Sequence, residues 1–373
     1  MGGMDIKRIM NRGLNSVEPY VGGTHKEEAQ KKYKIAEPVK LSSNENPLGV
    51  SPRGVEHARN ILKGANVYPE GSNRDLREKV ARRYGVSSDS VIFGNGADEI
   101  IYYLAMSLIN DDDEVIIPRL TFPIYEIACR IMRARVVYSD MDGLKIDTGD
   151  ILRRITERTK FIALCNPNNP TGHAIQADEV YPLIDAVPRE VLIIMDEAYA
   201  EFADPGSFPD SMSKFREGFN NLVIIKTLSK AYGLAGFRVG YAIGDEGVIE
   251  LMNRIKLPFN ISIVSQHAAL GALDDESFIR ETIENTRKGR DEIYSAMGRL
   301  GLSYVESSTN FVLVDTGRDA DQVTEELMKR GVIVRSAKNY GTPTSIRVTV
   351  GTPDQNRCFI NAMDEIFTEL KPS

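Results

Sequence analysis

One stretch gathers an unusual set of reactive groups. Thr227-Leu228-Ser229-Lys230-Ala231-Tyr232-Gly233-Leu234-Ala235-Gly236-Phe237-Arg238 puts two hydroxyls, an amine and a guanidinium within a dozen positions. It follows an apolar run, 222–225, that reads as a buried strand. A lysine set between Ser229 and small or apolar residues is not a typical solvated lysine. Partly buried and near cations, such an amine loses its proton easily and attacks a carbonyl carbon. Arg238, eight residues on, offers a planar fork of donors suited to a phosphate.

Other polar strings sit where apolar runs end. Asp196-Glu197-Ala198-Tyr199 follows the run 191–195. A carboxylate at the end of a buried strand must be paired or bear a desolvation cost; it is equally readable as a plain helix N-cap. Asn166-Pro167-Asn168-Asn169-Pro170-Thr171-Gly172 is forced into a rigid turn by its prolines and glycine, and a turn alone needs no function. Gly94-Asn95-Gly96-Ala97-Asp98-Glu99 opens a helix. Its free N–H groups and positive dipole end suit an anion, or the helix is merely capped by Asn95 or Asp98. Near the C-terminus, Arg335 and Arg347 stand on or beside apolar strands, which is costly unless each meets an anion or a surface partner.

The elements that must position these groups alternate. Short apolar runs at 91–93, 115–117, 136–138, 161–164, 191–195 and 222–225 are separated by amphipathic stretches such as 122–134, 150–157 and 179–186. Continuous apolar strands with helices between them imply a mostly parallel sheet covered on both faces. Ligands then bind at the carboxyl ends of the strands, where the polar strings lie. Past residue 244 the pattern becomes a long charged helix (277–300), strands at 311–314, 332–334 and 346–350, and helices at 320–330 and 354–370: a smaller α+β unit. Residues 1–40 read as a polar arm.

Composition narrows the function. The 373 residues carry a formal charge of −7, which disfavours nucleic acid or an anionic membrane as the main partner. The longest apolar stretch, 100–109, is too short to span a bilayer, and the first residues lack the apolar core of a secretion signal. The three cysteines have no disulfide or zinc spacing, so no metal is expected.

Taken together, Gly-Ala-Asp-Glu at 96–99, Asn-Pro-Asn-Asn-Pro-Thr-Gly at 166–172, Asp-Glu-Ala-Tyr at 196–199 and Ser-Lys-x7-Arg at 229–238 resemble the motifs of pyridoxal-phosphate enzymes of the aspartate-aminotransferase fold. Leu41-Ser42-Ser43-Asn44-Glu45-Asn46-Pro47-Leu48-Gly49 resembles a segment of the histidinol-phosphate aminotransferases within that group. The resemblance runs from about Tyr20 to the C-terminus. It implies fold type I of the pyridoxal-phosphate-dependent transferases: an α/β fold with a mostly parallel central sheet, helices on both faces, and a smaller α+β domain. The expected division is an arm with part of the small domain at 1–45, a large cofactor domain at 46–265, and a small domain at 266–373.

The resemblance also assigns roles. Lys230 would carry pyridoxal 5′-phosphate and act as general acid–base, with Asp196 at the pyridine nitrogen and Asn169 and Tyr199 at the phenolic oxygen. Tyr125 would stack on the ring. Ala97, Asp98, Thr227, Ser229 and Arg238 would cradle the phosphate, joined by Tyr68 from a second subunit. Tyr20, Asn46, Arg335 and Arg347 would bind substrate. The implied protein is a cytoplasmic homodimer moving an amino group between histidinol phosphate and 2-oxoglutarate or glutamate in histidine biosynthesis. The arm departs from the family pattern at Gly22-Gly23 and Thr24. An aromatic amino-acid aminotransferase and a threonine-phosphate decarboxylase share the motifs and stay open as alternatives.

Overall fold

The computed structural model describes residue 4 and residues 6–19, 22–23 and 26–369. Seven strands form the main sheet, in the spatial order Val91–Asn95, Val239–Ile243, Leu222–Thr227, Leu192–Asp196, Thr159–Cys165, Glu114–Pro118, Arg135–Ser139. From Leu222–Thr227 to Arg135–Ser139 every neighbouring pair is parallel. Val239–Ile243 runs antiparallel to both its neighbours. That strand was not anticipated from the sequence, because its Gly240 and short apolar run continue directly from the lysine segment.

The strands are apolar on both sides because both sides are covered. Along Leu192–Asp196, Ile193 and Met195 enter one core while Leu192 and Ile194 enter another. Leu222–Thr227 repeats the alternation, with Leu222 and Ile224 on one side and Val223 and Ile225 on the other. Period-two side-chain geometry thus turns an unbroken apolar run into two packed layers.

A second, antiparallel sheet has the order Ser303–Tyr304, Phe311–Asp315, Ser345–Thr349, Arg335–Ser336. It packs with the helices Ala320–Lys329 and Pro353–Glu369 around a separate core that includes Val312, Val348 and Phe359. The 25-residue helix Glu276–Leu300 is capped by Asp275, whose carboxylate accepts from Phe278 N, and ends at Gly301 with φ 70°. Positive φ is the conformation that favours glycine at a helix C-terminus. The early chain joins this smaller unit: Val39–Lys40 pairs parallel with Val332–Ile333, and Leu41 O accepts from Thr349 N at 2.8 Å. Among the described residues no helix is long and apolar enough to cross a membrane.

Candidate active site

A cavity of about 330 Å³ lies where the carboxyl ends of the parallel strands face the smaller sheet. The large sheet brings Cys165, Asp196 and Thr227 to it from three strand ends, and the small one brings Arg335 and Arg347. Lys230 stands on the wall just past the end of Leu222–Thr227. Its Nζ donates to Ser43 O at 3.3 Å and lies 5.8 Å from the centre of the Tyr199 ring. Withdrawal from solvent, then the positive charge of Arg347, push this amine down to about 8 from the ordinary 10.5.

Asp196 is buried, with Oδ1 accepting from Ala198 N at 3.0 Å and Oδ2 accepting from Tyr125 Oη. The carboxylate closes a turn onto Ala198 rather than capping a helix. Burial pushes its pKa up to about 6, against the two donors that favour the charged form. Tyr125 is not on the cavity wall, which corrects the expectation that it would stack there: it is 1% exposed and spent on Asp196. Phe122 lines the cavity instead, edge-on to Tyr125 at 6.1 Å and 85°. The helix Ile124–Ile131 begins just after Phe122, and its first turn carries Tyr125 inward.

At one end the cavity meets the N-terminus of the helix Ala97–Leu108. Gly96 is the N-cap and provides no side-chain hydrogen bond, so neither Asn95 nor Asp98 caps this helix. Its first N–H groups have no partner within the helix. Thr227, Ser229 and Arg238 line the same wall. Arg238 Nη2 lies 3.3 Å from Asp98 Oδ2, and a Cβ on Gly96, at φ 82°, would come within 2.4 Å of that nitrogen. Glycine is what lets the guanidinium approach the helix end. Arg238 itself sits at φ 55°, a left-handed conformation that persists only where surroundings enforce it.

At the other end Arg347 is 5% exposed; Nη1 donates to Asn169 Oδ1 at 2.6 Å and Nη2 to Ser42 O at 3.0 Å. Its Nε is buried without a hydrogen-bond partner among the described residues. Arg335 is its direct partner across the antiparallel ladder, and Arg335 Nη1 donates to Gly22 O at 2.7 Å. Both guanidinium groups line the cavity.

Beyond Tyr125, one expected contact falls elsewhere. Asn46 is off the wall, which corrects its assignment to substrate: Nδ2 donates to Ala231 O and Thr282 Oγ1, and Oδ1 accepts from Leu48 N. The turn consumes this amide, and the neighbouring Ser43, Asn44 and Glu45 line the cavity in its place. Tyr68 is absent from the wall of its own chain's cavity; it is 78% exposed and stacks on Phe259 at 4.7 Å. Tyr20 lies outside the described residues. Ala97, Asp98, Asn169, Asp196, Tyr199, Thr227, Ser229, Lys230, Arg238, Arg335 and Arg347 all share the one cavity. Sequence reasoning missed Phe122, Asn44 and Cys165, which lie three positions from Tyr125, two from Asn46 and four from Asn169.

These groups, gathered at the strand ends of an α/β sheet, fit an amino-group-transferring enzyme, and the chain belongs to the class I and II aminotransferases, whose family model matches residues 36–363. Its relatives include histidinol-phosphate aminotransferase 2 of Carboxydothermus hydrogenoformans, 41% identical over 97% of this chain and all of that protein. Histidinol-phosphate aminotransferase of Moorella thermoacetica is 39% identical over 94% of this chain and 91% of its own. Among solved structures, histidinol-phosphate aminotransferase of Sinorhizobium meliloti in complex with pyridoxal-5′-phosphate superposes with a TM-score of 0.88 at 25% identity, covering 97% of this chain and 98% of that one.

Proposed function

We propose that this chain transfers an amino group between histidinol phosphate and 2-oxoglutarate or glutamate, using pyridoxal 5′-phosphate, in histidine biosynthesis. The observation that carries the substrate class is the Arg335–Arg347 pair, two guanidinium groups opposed across a ladder and open to one cavity with Lys230. The relatives' names support the same substrate.

The residues present fit the cofactor. A helix N-terminus, two hydroxyls and Arg238 suit a phosphate, Asp196 suits a protonated ring nitrogen, and Phe122 supplies an aromatic wall. When bound, the cofactor supplies an aldehyde that accepts amino groups and a cationic ring that withdraws electrons from the substrate's α-carbon. Asn169 spends its oxygen on Arg347, so its NH₂ is free to donate to the phenolic oxygen beside the Tyr199 hydroxyl. Asp196 would hold the ring nitrogen's proton, and a cation there would offset the burial that otherwise raises its pKa. Lys230, already inclined to be neutral, would hold the aldehyde carbon and would move a proton at the amino donor's α-carbon. Arg347 would bind the α-carboxylate of glutamate. Arg335 would bind the distal anion, carboxylate or phosphate.

The same reading makes the protein a cytoplasmic homodimer in which Tyr68 reaches the other copy's phosphate site. The dimer's support is that Tyr68 and Phe259, stacked on each other, are exposed, as are Leu62, Val67 and Leu257 in the same two stretches of chain. The same reading divides the chain into 1–45, 46–265 and 266–373; the separate core around Val312 and Phe359 supports a small unit, while Ala268, Ala269, Ala272 and Leu273 enter the large unit's core and move its boundary past residue 273.

Single-turnover rates with glutamate, histidinol phosphate and phenylalanine test the assignment. Arg347→Ala should slow the glutamate half-reaction about ten- to a hundredfold. Arg335→Ala should slow glutamate and histidinol phosphate by a similar factor and spare phenylalanine, which has no distal anion. Equal losses on all three donors, or a wild-type enzyme that prefers phenylalanine, would overturn the substrate reading.

A further inference from the structure

The segment Ser42-Ser43-Asn44 runs between the two sheets, and Asn44 is held from every side. It is 1% exposed, with its backbone at φ 56°, a conformation that asparagine tolerates better than most residues. Its N–H donates to Thr349 Oγ1 at 2.9 Å, and its carbonyl accepts from Asn310 Nδ2 at 3.0 Å. Thr349 Oγ1 meets Asn44 Oδ1 at 3.2 Å, and Asn44 Nδ2 donates to Tyr199 Oη at 2.9 Å.

Donor count fixes the direction of each bond. Thr349 Oγ1 receives the Asn44 N–H, and among the described residues Asn44 Oδ1 is the one acceptor within reach of its buried hydroxyl hydrogen, so that hydrogen goes to Asn44 Oδ1. The amide oxygen therefore faces Thr349 and the NH₂ faces Tyr199. An NH₂ group can only donate, so the Tyr199 oxygen accepts and its own hydrogen points elsewhere. Among the described residues Asn44 is the one hydrogen-bond partner of Tyr199 Oη, and Tyr199 otherwise faces the cavity.

We propose that Asn44 is a positioning residue: the relay Thr349–Asn44–Tyr199 compels the Tyr199 hydroxyl to donate into the cavity, toward an anionic oxygen of the bound ligand. The inference rests on the cofactor reading above. Thr349 and Arg347 are two positions apart on the strand Ser345–Thr349 and share a face. The strand that carries the carboxylate-binding arginine thus also sets the polarity of the phenol, and substrate capture and phenol orientation are tied to one element. A purely structural Asn44 would hold the segment in place and leave that polarity alone.

The pH midpoint of the visible absorbance change of the lysine-bound cofactor reports this polarity in the holoenzyme. A donor to the phenolic oxygen favours its anionic form once the neighbouring proton has left, so losing that donor raises the midpoint. Tyr199→Phe should raise it by about half a unit to one unit. Asn44→Gly, which tolerates the positive φ while deleting the amide, should raise it by as much or less. The double variant should go no further than Tyr199→Phe alone, because both changes remove one interaction. An unchanged midpoint in either single variant, or shifts that add in the double, would overturn the proposal. If Asn44→Gly fails to fold, Thr349→Val is the substitute: it frees the amide to rotate and should also raise the midpoint, and no shift there overturns the relay. Absence of the visible absorbance in the wild-type protein supplied with pyridoxal phosphate would instead overturn the cofactor reading, and this inference with it, before any variant is compared.

Discussion

Lys226 and Lys230 are four residues apart, both withdrawn from water, and chemically opposite. Lys226 lies on the strand Leu222–Thr227, 8% exposed, with Nζ 2.8 Å from Glu197 Oε2. Burial works against its charge, but Glu197, with Tyr84 and Glu201 nearby, outweighs that and holds its pKa well above the usual lysine range. Lys230 feels burial and the Arg347 cation together, opposed by Asp98 and Glu45, and falls to about 8. The carboxylates divide in space the same way. Asp196 and Glu197 are adjacent at a strand end, so they point to opposite faces of the sheet. Asp196 meets neutral donors on the cavity side; Glu197 meets Lys226 on the other. The two lysines differ in charge state because of the partner each meets.

The largest test of this contrast removes the reactive amine. Lys230→Ala should lower turnover by several orders of magnitude, since no second amine among the described residues lines the cavity. It should leave thermal stability unchanged or slightly higher, because an amine facing a cation is deleted. Near-normal turnover would show that Lys230 is not the reactive lysine.

Lys226→Met should do the reverse, leaving Glu197 buried and unpaired. The expected loss is about 3–5 kcal/mol of unfolding free energy in a urea titration. Pairing it with Glu197→Gln should restore much of that loss, since the second change removes the stranded charge. A single variant as stable as the wild type would mean that the Lys226–Glu197 pair does not set the charge state on its side of the sheet.

This contrast was only half legible in the sequence. Lys230 and Asp196 stood out because each follows an apolar run, and an alternating series of such runs brings strand ends together. Lys226 and Glu197 adjoin the same runs, yet their pairing depends on strand order, which a string of residues does not display. The misplacements have the same cause at shorter range. Phe122 and Tyr125 lie three positions apart at a helix start, and only the packed helix decides which ring faces the cavity. Asn44 and Asn46 share a turn, and the positive φ at Asn44 sends the first amide to Tyr199 while the second closes the turn. Val239–Ile243 passed unseen as a strand because an antiparallel insertion needs no helix before it, and the alternation of strands and helices was the signal in use.

The smallest effect concerns protonation, and it sets the two lysines side by side in one experiment. With the cofactor removed, a neutral amine-directed reagent modifies only the unprotonated form of a lysine, and mass spectrometry separates the peptides. Lys230, lowered from 10.5 to about 8, should reach half its limiting rate near pH 8. Lys226 should stay unmodified at that pH, since Glu197 keeps it charged. A lowered folded-state pKa means that the fold prefers the neutral amine. The stabilisation from Lys230 is therefore full above pH 10.5 and is lost as the pH falls through about 8. Arg347→Ala removes the cation that helps depress the amine, so it should move the Lys230 midpoint upward and leave Lys226 where it was. A Lys230 profile that follows ordinary exposed lysines near 10.5, or one indifferent to Arg347→Ala, would mean that the cavity does not prepare the amine for attack.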